Sequence, residues 1–170
     1  MIKRAALLLA FLVWASPLPA QVLEQSFTDS DASFKISTPN AQWSFEPRGT
    51  DPGPLRLTMR FESPVHQFVP NATVRVQDLD SPKVKLDRVL KTDLAALPED
   101  VELVEKKKIV RPNLEGYQIV LHDKKSEVVF HQWFFVAKGK SFVITCTANT
   151  ESYTRMRRDF QKILDSFEIL

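Results

Sequence analysis

The chain has a single cysteine, Cys146, so no disulfide can form within it even in an oxidising compartment. Set in SFVITCTA, that cysteine reads as a small buried hydrophobe of a strand, because no neighbour is suited to stabilise a thiolate. Long apolar runs are also missing. The run from Ala5 to Ala15 reaches roughly 16 Å as a helix, short of the ~20 residues that cross a bilayer, and no later stretch is longer. Net charge is nearly absent: Lys3 and Arg4 account for the whole formal surplus of +2, which excludes a global nucleic-acid footprint.

Motifs that carry chemistry are lacking too. Gly139-Lys140-Ser141 resembles the tail of a phosphate loop, but Phe134 stands where that loop needs its first glycine and a strand follows where it needs a helix. His66, His122 and His131 have no metal-ligand spacing and read as ordinary surface or packed histidines. The acidic patches at 78–80 and 99–102 lack the glycine and oxygen spacing of a calcium loop, and no Gly-x-Ser-x-Gly is present. The expectation is a protein with no catalytic residue, no metal ligand and no cofactor.

The first twenty residues, MIKRAALLLAFLVWASPLPA, have the layout of a secretory signal peptide: two bases, a short apolar run and a Ser-Pro-Leu-Pro-Ala exit. Cleavage is expected after Ala20. Leu18, large for its place before the cut, keeps an uncleaved anchor as the alternative. Residues 21–170 then form one domain, long enough for a proper core and expected to be monomeric, in the periplasm or secreted. Asn71-Ala72-Thr73 fits a glycosylation sequon.

Periodicity supplies the elements. VLEQSFTD and ASFKIST suggest a hairpin with Phe34 and Ile36 on one face, and residues 46–54, with three prolines and two glycines, a surface loop. LRLTMRFE alternates, with Leu55, Leu57, Met59 and Phe61 inward. ATVRVQ is a second strand of this kind. Ser81 and Pro82 suit the N-cap and first turn of a helix whose stripe is Leu86, Val89, Leu90, Leu94 and Leu97, ending at Pro98. Asp93 falls inside that stripe and is expected at its edge, paired with a base. Strands return at VELVEKKKIV, LEGYQIVLH, SEVVFHQWFFVA and SFVITCTA, the last two joined at Lys138-Gly139-Lys140. A closing helix begins at Asn149 or Thr150, with Tyr153, Met156, Phe160, Ile163, Leu164 and Phe167 inward and Arg155, Arg158 and Lys162 outward.

FHQWFF, residues 130–135, could be a ligand platform or the inside of a sheet. Both of its strand faces are mainly apolar, and stacking platforms expose their rings beside basic groups, which this segment lacks. It reads as a strand buried on both sides by helices.

FKISTPNAQW, PNATVRV, the helix from Pro82, the strands around GYQIVLH and VVFHQWFFVAKGKSFVIT, and the terminal DFQKILDSFEI together resemble the PsbP-like family over residues 27–168. The resemblance implies an α+β fold: a central antiparallel sheet of six to seven strands with helices packed on it, an α/β/α sandwich shared with the Ran-binding Mog proteins and the bacterial DcrB proteins. Family members include lumenal photosystem accessory proteins, envelope lipoproteins and effector chaperones, and most act by binding other proteins. The chain departs from the lipoproteins in lacking a lipobox cysteine. The expected function is therefore docking of an envelope protein partner of unknown identity, without nucleic acid, through the 46–54 loop, the 62–71 loop and the ridge of Arg155, Arg158 and Lys162. Lys106-Lys107-Lys108 and Lys124-Lys125 are further basic patches, and two patches brought together could meet anionic headgroups at a membrane surface. A small-ligand binder with a pocket between sheet and helix, or an enzyme with a dispersed site, are the alternatives.

Overall fold

Ten short alternating segments and two amphipathic ones assemble, in this computed structural model, into two antiparallel sheets and two helices; residues 24–46, 53–81, 84–111 and 114–170 are described. The segment read as a signal peptide and most of the 46–54 loop lie outside the described residues. In chain order the elements are β1 (Ser26–Asp29), β2 (Phe34–Ser37), β3 (Trp43–Glu46), β4 (Leu55–Phe61), β5 (Asn71–Asp78), α1 (Leu86–Ala95), β6 (Val101–Arg111), β7 (Leu114–Asp123), β8 (Val128–Ala137), β9 (Lys140–Asn149), α2 (Thr150–Asp165) and β10 (Glu168–Ile169). The main sheet has seven strands in the order β3-β4-β5-β9-β8-β7-β6. A second sheet, β1-β2-β10, carries the expected hairpin and takes its third strand from the chain end.

Alternation along each strand divides the main sheet into two unlike faces. Ala72, Val74 and Val76 of β5, Phe142, Ile144, Cys146 and Ala148 of β9, and Trp133 and Phe135 of β8 face α2, where Met156, Phe160, Ile163 and Leu164 close over them. Phe34 and Ile36 complete this core from the small sheet, and Phe167 stacks on Phe135 with ring centres 5.5 Å apart. Large side chains buried this completely contribute about 1.5–3 kcal/mol each, so the α2 face holds most of the fold's apolar stabilisation.

The opposite face is split. Over β7 and β8 it is apolar, and Leu90 of α1 packs there on Ile119, Leu121 and Phe134. Over β4, β5 and β9 the same face carries Thr58, Thr73, Arg75, Gln77, Ser141 and Thr145, by the register that pairs Thr58 with Thr73, Thr73 with Thr145 and Gln77 with Ser141. α1, only ten residues long, covers the apolar half.

FHQWFF lies in β8 between both layers: Trp133 and Phe135 are each 1 % exposed under α2, and Phe134 is buried under α1. A basic group does meet the segment, since Arg111 of β6 lies over the Trp133 ring at 4.1 Å from its centre, but it covers a buried indole. The two-residue turn after β8 uses positive φ at Lys138 (52°) and Gly139 (74°), the pair that matches the twist of a tight hairpin.

Three local expectations change. The first helix begins at Leu86 after Lys85, with no side-chain cap; Ser81 accepts a main-chain bond from Val84 in a turn ahead of it, and Pro82 is outside the described residues. Leu55 is 45 % exposed because a register shift between Leu55 and Leu57 takes it out of the alternation. No separate strand is expected around Trp43, yet a four-residue one at Trp43–Glu46 forms one edge of the main sheet.

Candidate functional site

The helix proposed to carry recognition is built firmly. The Asn149 side chain accepts from the Ser152 main-chain N–H at 3.1 Å, capping α2, and Glu151 sits in the first turn where the helix dipole favours it. With its inner stripe buried, α2 turns Arg155, Arg158 and Lys162 to solvent at spacings of three and four residues, which places them on one ridge.

The acids that could neutralise this ridge face elsewhere. Glu151, four residues before Arg155, lies 3.3 Å from His66 of the 62–71 loop. Asp159, four residues after Arg155, accepts from Trp43 Nε1 at 3.1 Å and Asn40 Nδ2 at 3.0 Å. Asp165 near the end of the helix pairs with Arg111 and accepts from Gln161 Nε2 at 2.9 Å. Among the described residues, Arg155, Arg158 and Lys162 thus form no ion pair.

The other basic patches are treated differently. Lys106 lies over the Tyr117 ring at 4.6 Å, Lys108 pairs with Glu115 at 3.1 Å, and Lys124 pairs with Glu102 at 2.5 Å. Register puts Lys106 and Lys108 opposite Ile119 and Tyr117, on the α1 side of the sheet, so they do not join the α2 ridge.

The three histidines sit in three different surroundings. His131 is fully buried with Nδ1 3.4 Å from the Tyr153 hydroxyl, and burial, with a smaller contribution from the Arg157 guanidinium, lowers its pKa to about 4. His122 lies between Glu102 and Glu127, both 3.6 Å away, and 3.3 Å from the Thr150 hydroxyl. That hydroxyl also lies 3.0 Å from the Glu127 carbonyl oxygen and 3.2 Å from its carboxylate, contacts that hold the start of α2 to the β7–β8 connection. Among the described residues no group of three or more His, Cys, Asp or Glu could hold a metal. Cys146 is wholly buried, and burial pushes its thiol far above the ordinary range. Among the described residues no helix is long and apolar enough to cross a membrane.

The sequence leaves a pocket between sheet and helix open as an alternative, without lining residues. A groove of about 700 Å³ runs between α1 and the polar half of the sheet. Val143, Thr145, Gln132 and Phe134 line it from the sheet, where Gln132 Nε2 donates to Thr145 Oγ1 at 3.0 Å. Arg75 enters from β5 and Asp93 from α1. Desolvation raises the Asp93 carboxyl above its usual pKa, and the attraction of Arg75 offsets part of that rise. The expected pairing of Asp93 with a base does not form among the described residues: Arg75 and Asp93 line one groove without closing into an ion pair.

No protein-family model and no curated protein matches the chain. Solved structures do. The chain is similar to the cyanobacterial PsbP protein CyanoP from Synechocystis sp. PCC 6803, with TM-score 0.65 and 14% identity over 86% of this chain and 92% of that one. It is similar to LpqN, involved in cell envelope biogenesis of Mycobacterium tuberculosis, with TM-score 0.59 and 16% identity over 88% of this chain and 91% of that one. It is also similar to PA94 from Pseudomonas aeruginosa, a protein of unknown function, with TM-score 0.57 and 9% identity over 84% and 94%. The chain therefore has the PsbP-like fold, an α+β architecture with a seven-stranded antiparallel sheet between two helices.

Proposed function

We propose that this is an exported, non-enzymatic accessory protein of the cell envelope that works by docking a protein partner on the outer face of α2. The observation that carries the reading is the ridge of Arg155, Arg158 and Lys162, whose potential acid partners Glu151, Asp159 and Asp165 are each drawn to other groups. An exposed single-sign ridge on a rigid helix attracts an acidic surface and sets its orientation. The likeness of fold to LpqN, involved in cell envelope biogenesis, and to CyanoP supports the setting. The signal-like first twenty residues support export, to the periplasm or beyond the cell.

Crosslinking of tagged protein in its native host tests this, with Arg155→Glu and Arg158→Glu as the comparison. Both reversals lie on the exposed face, so folding should persist while partner capture weakens in a salt-dependent way. Undiminished capture by the double variant would remove the ridge from the proposal. Turnover of a substrate from an unbiased hydrolase or transferase panel would overturn the non-enzymatic reading.

A further inference from the structure

The groove beside α1 is independent of the ridge and has a chemistry of its own. Its charged lining is Arg75 and Arg88 against Asp80 and Asp93, formally neutral, and none of the four forms an ion pair among the described residues. Between these charges lies apolar surface left partly uncovered: Val89, Leu94 and Leu97 on the helix side and Val143 on the sheet are only half-buried. A site for a simple anion would carry an excess of bases, and a site for a hydrocarbon would not place two opposite charges facing one space.

We propose that this groove binds a zwitterionic small molecule with an apolar side chain, a free amino acid or short peptide, whose carboxylate meets Arg75 and whose ammonium meets Asp93. Each charge on the protein then gains the partner that the fold withholds from it. Arg75 offers a planar fork that accepts a carboxylate in two parallel bonds. Asp93 sits where burial already disfavours its charge, so an ammonium alongside it replaces lost hydration. The ligand's side chain covers Val89, Leu94 and Val143, and Gln132 and Thr145 supply neutral hydrogen-bonding groups on the floor. The volume of about 700 Å³ exceeds a single residue and leaves room for a dipeptide.

Isothermal titration of the intact domain with L-leucine, L-phenylalanine and the dipeptide Leu-Leu provides the test, with N-acetyl-leucine, leucinamide and decanoate as controls. The zwitterions should bind, and capping either end should weaken binding by about tenfold or more, the loss expected when one charged hydrogen bond is removed. Arg75→Gln should cost affinity for Leu-Leu and leave leucinamide unchanged. Asp93→Asn should cost affinity for Leu-Leu and leave N-acetyl-leucine unchanged or improved. Both side chains are exposed, and thermal melts verify that the variants fold. Equal binding of capped and free ligands, tighter binding of decanoate, or no heat with any probe would each overturn the proposal, and the wild-type comparison decides the matter even if a variant fails to fold. None of these outcomes depends on the α2 ridge.

Discussion

Trp43 and Asp159, separated by 116 positions in the chain, meet through a hydrogen bond of 3.1 Å from the indole Nε1 to a carboxylate oxygen. The indole is fully buried and edges against Phe61 and Phe160, so its N–H has Asp159 as its partner, and the same oxygen accepts from Asn40. The contact joins the edge strand β3 to the middle of α2. Asp159→Ala should therefore cost about 1–3 kcal/mol, the penalty for stranding a buried donor, and Trp43→Phe in the same background should recover part of it. Denaturant midpoints of the two single variants and the double variant measure the coupling directly.

Trp133→Ala should lower stability by about 3–5 kcal/mol, because the cavity would open between Phe135 and the Arg111 guanidinium that covers the ring. The same denaturant curves read the effect. An unchanged midpoint with a lost binding activity would instead make FHQWFF a ligand platform.

Gly116→Ala should destabilise in the opposite manner, by crowding. A Cβ there would stand 2.5 Å from Phe135 Cδ1 and 2.6 Å from the Phe134 main-chain oxygen, and a backbone atom cannot rotate away. A cost of about 1–3 kcal/mol is expected, with Phe135→Leu relieving only the side-chain part of it.

His131 makes the fold acid-sensitive. Its imidazole is held to about 4 against an ordinary 6.5, first by burial and then by Arg157. Between those values the unfolded chain binds a proton that the folded protein refuses, so stability rises with pH. The contribution is intact above about 6.5 and is lost progressively toward 4, a change of about 3 kcal/mol. Urea melts across this window should show the slope flatten in His131→Gln; an identical slope in the variant would mean that His131 takes up its proton within the fold.

The mature protein is proposed to begin at Gln21, after cleavage behind Ala20. Intact-mass measurement of the exported protein checks this. Recovery of residues 1–20 in a membrane fraction would support the anchor instead.

Sequence periodicity by itself determined which side chains go inward. The alternation in β5, β8 and β9 and the 3.6-residue stripe of α2 each place apolar groups at intervals that only one backbone geometry can bury together, so the core of Trp133, Phe142, Ile144, Phe160 and Leu164 was legible in advance. The basic ridge was legible for the same reason, as the complement of that stripe. What periodicity cannot express is which strand lies beside which. The insertion of β9 between β5 and β8, made by residues some seventy positions from β5, sets the width of the sheet's exposed face and brings Arg75 and Asp93 to one groove. In sequence Arg75 is one outward residue of an alternating strand and Asp93 an interruption of a helical stripe. The same limit applies to Glu151, Asp159 and Asp165: their distant partners His66, Trp43 and Arg111 are chosen by tertiary packing, because an ion pair or hydrogen bond requires side chains within a few ångströms of each other and local spacing governs only the face on which each one begins.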